Sequence, residues 1–269
     1  MWTETTRKQY ERQSERYASD LTDGEWALIT PHLPAAKPIG RPRTTVLREV
    51  INALFYLLST GCQWRLLPKE FPPRSTVHRY FTTWREDGTW SCIHHALTIE
   101  AREQEGREPS PSAAVIDSQS VKTTESGGPR GYDAAKKVKR RKRHILVDTL
   151  GLLLVAVVHA ANIQDRDGAA RVFAAMRQLF PWVETVFADQ AYRGPRVRQT
   201  AGRRIEIITR PKGAIGFTLL PRRWVVERTF AWLCRNRRLA KDFETHVENA
   251  AAYVQVAMIK LLTRRIARA

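Results

Sequence analysis

The chain has 269 residues, of which 43% are hydrophobic and eight are tryptophan. This apolar content offsets the entropy of ordering the backbone, which excludes a largely disordered protein and predicts a globular one. Lys and Arg number 45 against 27 Asp and Glu, a formal charge of +18. A basic surface gains affinity for polyanions by releasing counterions, so nucleic acid is the expected partner, with an acidic membrane surface as the alternative.

The sequence predicts neither a membrane span nor secretion. Its longest apolar stretch, Leu152 to Ala161, is about half of the roughly 20 residues that a spanning helix needs. The N-terminus lacks the apolar region of a secretory signal. Cys62, Cys92 and Cys234 form no CxxC pair and no metal-ligand spacing with histidines, which indicates a reducing compartment and no structural zinc. We therefore expect a cytoplasmic protein, in part associated with the nucleoid.

The first part of the chain predicts a polar arm followed by a small helical domain. Residues 1–20 are heavily charged and show no apolar period, so we expect an exposed arm there. Residues 21–101 predict helices with apolar stripes, and the third of these carries basic side chains opposite its apolar side. A helix-turn-helix DNA reader and a plain helical bundle with solvated charges both account for this pattern. The DNA reader would use Arg74, Ser75 and Arg79.

A hydrophilic stretch at residues 102–112 predicts a linker, and a second domain is expected over residues 113–269. This domain begins with apolar runs typical of three successive strands and then alternates helices with single strands. The order predicts an α/β fold, with a mixed sheet that helices cover on both faces.

A basic run lies between the first two predicted strands. Residues 118–143 are interpreted as a loop, and the last part of this loop is strongly basic. Such a run either contacts phosphate groups or is only solvated, and its place within the sheet favours phosphate contact. The basic residues concerned are Lys136, Lys137, Lys139, Arg140, Arg141, Lys142 and Arg143.

Two acidic residues follow predicted strands that could be neighbours, where their side chains can share a cation. Asp117 ends the apolar run AAVI and Asp189 ends TVFA, so each follows a predicted strand. A single acid at a strand end is more often a turn former or a helix cap. Glu227 lies in a predicted helix, four residues after Arg223 and on the same face. Apolar neighbours predict that Glu227 is partly buried, in which case it needs an arginine or a metal ion as partner.

Three stretches carry a family likeness, and they occur in the order AVIDSQSVKTTE, VFADQAYRG and RRWVVERTFAWLCRNRRLAKDFE. Together with LTDGEWALITPHLP and GRPR near the N-terminus, they make the chain similar to the transposases of the IS5 family of bacterial insertion sequences. The resemblance implies an RNase H-like catalytic domain whose DDE triad falls on Asp117, Asp189 and Glu227. It also implies that these residues hold two divalent ions, and oxygen ligands select Mg²⁺ or Mn²⁺.

The family pattern also places basic residues around the helical glutamate. An arginine stands four residues before this glutamate in the family, and Arg223 matches it here. A basic residue is expected seven positions after it, where this chain has Cys234, with Arg235 and Lys241 beyond. The resemblance implies that DNA is held by Arg223, Tyr192, Lys241 and the basic run.

The implied reaction is phosphoryl transfer without a covalent enzyme intermediate. One metal ion lowers the pKa of the attacking water or 3′-hydroxyl, and the other stabilises the leaving oxygen. Water would cut at the terminal inverted repeats of the element, and the freed 3′-hydroxyl would attack target DNA. Because two ends must meet, a homodimer or higher assembly on double-stranded DNA is expected. The alternatives are a DNA-binding regulator and an RNase H-like nuclease without strand transfer.

Overall fold

A computed structural model describes residues 3–5, 16–36, 38–40, 42–125, 127–133, 137–209 and 222–268. Within these ranges, the helices that precede the sheet are α1 (Asp23–Ile29), α2 (Leu47–Thr60), α3 (Arg74–Glu86) and α4 (Thr89–Gln104). Thr22 caps α1 in a reciprocal capping box with Glu25, as expected for a helix beginning there. Helix α4 has no separate counterpart in the sequence analysis. No helix in the described ranges is long and apolar enough to span a membrane.

The sheet is mixed, as predicted. Its strands are β1 (Ala113–Lys122), β2 (Gly131–Asp133), β3 (Val138–Asp148), β4 (Leu153–Ala160), β5 (Thr185–Ala188) and β6 (Arg204–Ile207). The order runs β2, β3, β1, β5, β6, and β4 also pairs with β3. Strand β1 is antiparallel to β3 and parallel to β5, and β5 is parallel to β6. This topology confirms the predicted fold class.

The parallel pairing of β1 and β5 places two acids side by side. In the register of these strands, Val115 lies opposite Phe187. Asp117 and Asp189 each come two residues later, so they are neighbours near the C-terminal end of β5. Asp189 follows β5 directly, as predicted. Asp117 instead lies within β1 and is paired with Ile145 of β3, so the prediction that it ends its strand is wrong.

Helices cover both faces of the sheet. On one face, α5 (Asp165–Leu179) and α6 (Pro195–Ala201) enclose a core to which β1 contributes Ile116. On the other face, α7 (Trp224–Cys234), α8 (Val247–Ile266) and the N-terminal helices share a core to which β1 contributes Val115. The alternation of Val115 and Ile116 is the period of a strand buried on both sides. Since the second core is continuous, the predicted boundary at residues 102–112 does not divide it, and the two-domain division remains a prediction.

The basic run differs from its prediction. Strand β1 continues to Lys122 and pairs with β3 through Arg140, so most of the predicted loop is a long antiparallel ladder. The guanidinium of Arg141 is buried, 3.2 Å from Asp242 and hydrogen-bonded to backbone carbonyl oxygens. Arg143 is likewise buried and donates to the carbonyl oxygen of Leu239 at 2.6 Å. Within the run, Lys137 and Lys139 are exposed and Arg140 is half-buried, while Lys136 lies outside the described residues.

Replacing Arg141 should destabilise the protein far more than replacing its exposed neighbour. Arg141→Met leaves the buried carboxylate of Asp242 without its ion-pair partner, and we expect a loss of about 3–5 kcal/mol in the free energy of unfolding. Lys139→Met removes the same formal charge from a solvated position and should change stability little. Urea unfolding followed by tryptophan fluorescence measures both. Equal losses in the two variants would contradict a structural role for Arg141.

Candidate active site

Three elements bring the acidic side chains to one edge of the sheet. Asp117 lies partly buried within β1, and its Oδ1 accepts a hydrogen bond from the Ser118 backbone N–H at 2.7 Å. Asp189 follows β5 directly and caps a short 3₁₀ helix, accepting from the Ala191 N–H at 2.9 Å. Glu227 lies in the first turn of α7. Its side chain is 50% exposed, which is less burial than the sequence pattern predicts.

Arg223 lies between two of these acids. Its Nη2 is 2.6 Å from Glu227 Oε1, and its Nη1 is 3.7 Å from Asp189 Oδ2. One guanidinium thus connects the end of β5 with the start of α7. The sequence spacing predicts the contact with Glu227, because residues four apart share a helix face. The contact with Asp189 depends on the tertiary fold.

The electrostatics of Asp117 show that the other two acids lie near enough to act on it. Burial raises the pKa of Asp117, and the nearby carboxylates of Asp189 and Glu227 raise it further, to about 7. The Ser118 N–H and the Arg223 guanidinium oppose this shift. Burial disfavours the charge of Arg223, but the pKa of Arg223 is raised by its hydrogen bond to Glu227 and by the neighbouring aspartates. The site therefore concentrates negative charge that a cation stabilises.

The chemistry of the site suits a divalent metal ion. Carboxylate oxygens are the ligands that Mg²⁺ and Mn²⁺ prefer, and like-charge repulsion among them is relieved by a bound cation. Over the ranges that the structure describes, no group of three His, Cys, Asp or Glu side chains is close enough to hold a metal ion. The carboxylates have the right chemistry but are not arranged as a metal site here, and Arg223 supplies the positive charge that Asp189 and Glu227 contact.

A polar cluster that the sequence does not predict lies beside Asp117. Asp165, at the start of α5, accepts a hydrogen bond from Ser118 Oγ at 2.8 Å and lies 3.0 Å from Lys142 Nζ and 3.5 Å from His144 Nε2. Burial raises the pKa of Asp165, but the contacts with His144, Ser118 and Lys142 outweigh it and hold the pKa well below its ordinary value. Lys142, predicted to touch DNA, instead serves this cluster.

The ring of Tyr192 is buried beside the polar cluster. The short helix after Asp189 turns the ring inward, where it is only 1% exposed and packs edge-on against His144 with ring centroids 6.1 Å apart. The expectation that Tyr192 contacts DNA therefore does not match its position, because a buried ring offers no face to a nucleotide.

The end of α7 lies close to β1. Cys234 is exposed, and its Sγ is 3.5 Å from Gln119 Nε2, two residues beyond Asp117. Arg235 and Lys241, the basic residues that follow, are both exposed. The position where the family pattern has a basic residue therefore faces solvent at the same side of the sheet as Gln119.

Exposed basic side chains lie on α3 and in the segment of chain that follows Asp189. Arg74, Ser75 and Arg79 are exposed on α3, opposite its buried side. A further group follows Asp189 and has no counterpart in the sequence analysis, although its density of arginine is a readable signal. Its exposed members are Arg193, Arg196, Arg198 and Arg204.

The mixed sheet and the acids at its edge define the class, a DDE transposase domain. A family model described as "Transposase DDE domain" matches residues 108–262. A second, described as "Putative transposase of IS4/5 family (DUF4096)", matches residues 21–94. The chain therefore belongs to the DDE transposases of the IS4/5 family, which confirms the resemblance seen in the sequence. This membership implies a DNA substrate and a divalent metal ion.

Two relatives from Burkholderia cepacia are consistent with this family. The chain is 31% identical over 117 residues to "Insertion element IS402 uncharacterized 16.2 kDa protein", covering 41% of this chain and 78% of the relative. It is 29% identical over 161 residues to "Putative transposase for insertion sequence element IS402", covering 53% of this chain and 71% of the relative. No solved structure gives a significant match.

Two neighbouring aspartates should respond to neutralisation with opposite signs. The pKa of Asp117 is raised from 3.8 to about 7, so the wild type loses stability as the pH rises through this range. Without divalent metal, Asp117→Asn should therefore be more stable than the wild type at pH 8, by about 1–3 kcal/mol, and the gain should fade towards pH ~4.

Asp165→Asn is the matched variant. The pKa of Asp165 is lowered, so its stabilisation is present above its ordinary pKa and its neutralisation should cost stability at pH 8. Chemical denaturation over a pH series, with a chelator present, measures both variants. A destabilised Asp117→Asn protein at pH 8 would contradict the electrostatic description of the site.

Proposed function

We propose that this transposase cleaves DNA at the terminal inverted repeats of an insertion sequence and joins the freed 3′-hydroxyl ends to target DNA. The observation that carries the proposal is the convergence of Asp117, Asp189 and Glu227 at one sheet edge, in a chain that belongs to the DDE transposases. A DNA-binding regulator would give no reason for three mutually repelling acids to be gathered there.

In this proposal, Asp117, Asp189 and Glu227 together hold two Mg²⁺ or Mn²⁺ ions. When bound, these ions activate the attacking oxygen and stabilise the leaving one. The chain's own contribution is to fix the carboxylates. The parallel β1 and β5 strands set the positions of Asp117 and Asp189, and the Ser118 and Ala191 N–H groups orient their Oδ1 atoms.

We further propose how the chain contacts DNA. Residues 21–101 would read the element's ends through α3, where Arg74, Ser75 and Arg79 are exposed. Near the catalytic edge, phosphate contacts would come from exposed or half-buried residues, and the buried Arg141, Lys142 and Arg143 are not among them. The contacting residues would be Lys137, Lys139, Arg140, Arg193, Arg196, Arg198, Arg223 and Lys241. Because two ends must be joined together, a homodimer or higher assembly would form on DNA.

Each acid of the triad should be essential for cleavage but not for DNA binding. Asp117→Ala, Asp189→Ala and Glu227→Ala should each abolish Mg²⁺-dependent cleavage of inverted-repeat DNA, because the remaining carboxylates cannot supply the missing ligands. Glu184→Ala is the control, since Glu184 lies at the opposite end of β5 from Asp189.

A gel assay with the flanking element ends, a target plasmid and Mg²⁺ measures cleavage and joining together. Undiminished cleavage in any triad variant would disprove its role. Cleavage without joined products in the wild type would instead favour a nuclease that lacks strand transfer.

The exposed arginines after Asp189 should contribute to the salt dependence of DNA binding. In the double variant Arg193→Gln/Arg198→Gln, two exposed charges are lost from the segment that follows Asp189. The slope of log affinity against log salt should then become shallower by about 0.9 for each phosphate contact removed.

Arg107→Gln is the control, because exposed Arg107 precedes β1 and lies at the end of this strand away from Asp117. Fluorescence anisotropy with labelled duplex over a salt series measures the slopes. An unchanged slope in the double variant would exclude these arginines from the DNA interface.

A further inference from the structure

The cation at the candidate site is a side chain of the protein, the Arg223 guanidinium. Arg223 contacts Glu227 through Nη2 at 2.6 Å and approaches Asp189 through Nη1 at 3.7 Å. These are two of the three carboxylates proposed as metal ligands. A carboxylate oxygen that accepts from a guanidinium is less available to a divalent ion, and the two cations repel each other. Arg223 and the metal ions therefore compete for the same oxygen atoms.

The contacts of Arg223 are weak enough to exchange. The Glu227 side chain is 50% exposed and that of Arg223 is 24% exposed, so water screens the pair. Solvent-exposed ion pairs of this kind contribute little to stability. The pair spans four residues at the start of α7 and is not enclosed by the core. Breaking this ion pair costs less free energy than a hydrogen-bonded guanidinium–phosphate contact provides.

One nitrogen of Arg223 has no partner in this arrangement. Its Nε is buried and makes no hydrogen bond within the described residues. A planar guanidinium binds phosphate best with two parallel N–H groups. A phosphate group on the substrate would satisfy Nε and one Nη together, which the present contacts with Asp189 and Glu227 do not.

We propose that Arg223 is an exchangeable counterion that couples DNA binding to metal binding at this site. Without DNA, it neutralises Asp189 and Glu227 and competes with divalent ions. With DNA, it moves to a backbone phosphate near the cut and leaves both carboxylates to the metal. This inference rests on the proposed function. It implies that DNA and metal bind with positive cooperativity, because linkage makes the coupling reciprocal.

Mn²⁺ binding to the full chain tests the proposal without any need for turnover. Free Mn²⁺ is followed by electron paramagnetic resonance for the wild type, Arg223→Gln and Arg222→Gln, with and without inverted-repeat duplex, after subtraction of Mn²⁺ held by the duplex alone. Arg222 is the matched control, because it loses the same charge one residue away while its guanidinium stacks on the Phe187 ring at 4.4 Å.

Without DNA, Arg223→Gln should bind Mn²⁺ about tenfold more tightly than the wild type, and Arg222→Gln should remain close to the wild type. With DNA, the wild type should gain about tenfold and Arg223→Gln much less. Arg223→Lys retains the charge and should stay within a few-fold of the wild type without DNA, which separates charge loss from misfolding.

Equal Mn²⁺ affinities of the wild type and Arg223→Gln without DNA would overturn the proposal, as would an equal gain in Arg222→Gln. Failure of the proposed function would look different. In that case, Mn²⁺ binding would not depend on Asp117, Asp189 and Glu227, and alanine at any of these positions would leave the wild-type affinity unchanged.

Discussion

The burial of Asp117 beside two further carboxylates is the constraint that the rest of the molecule has to satisfy. Asp117, Asp189 and Glu227 lie close enough that the last two help to raise the pKa of the first to about 7. Hydrogen-bonded strand pairing and helix packing hold these residues in place against that unfavourable environment. Parallel pairing fixes the two aspartates, and α7 is tied to the β3–β4 turn by a hydrogen bond of 2.7 Å from Thr229 Oγ1 to the Gly151 carbonyl oxygen. The Arg223 guanidinium adds positive charge beside Asp189 and Glu227.

Two features of the candidate site could be predicted from sequence because their signals are local. The apolar run before Asp189 marks a strand that ends there, and spacing of four places Arg223 beside Glu227 on a helix. The proximity of the three acids could not be predicted from local sequence patterns. It depends on the parallel register of β1 with β5, separated by about 70 residues of chain, and came to the sequence analysis only through the family resemblance.

The long β1 and β3 ladder was missed for a physical reason. Lys and Arg have low strand propensity and mark a solvated loop when their partners are unknown. Here the acceptors for Arg141 and Arg143 are Asp242 and the Leu239 carbonyl oxygen, about 100 residues away. Tyr192 shows the same limit, since its inward direction depends on tertiary packing in the core beneath the sheet, including the contact with His144. Sequence patterns do not show which charged side chains will be buried.

The central claim is that the three acids form one metal site from which Arg223 withdraws when DNA binds. A crystal structure of the protein with inverted-repeat DNA and Mn²⁺, recorded with anomalous scattering, tests it most directly. The account predicts manganese peaks among the carboxylates of Asp117, Asp189 and Glu227, with the Arg223 guanidinium on a DNA phosphate. Manganese bound elsewhere, with Arg223 still between Asp189 and Glu227 in the DNA complex, would contradict it.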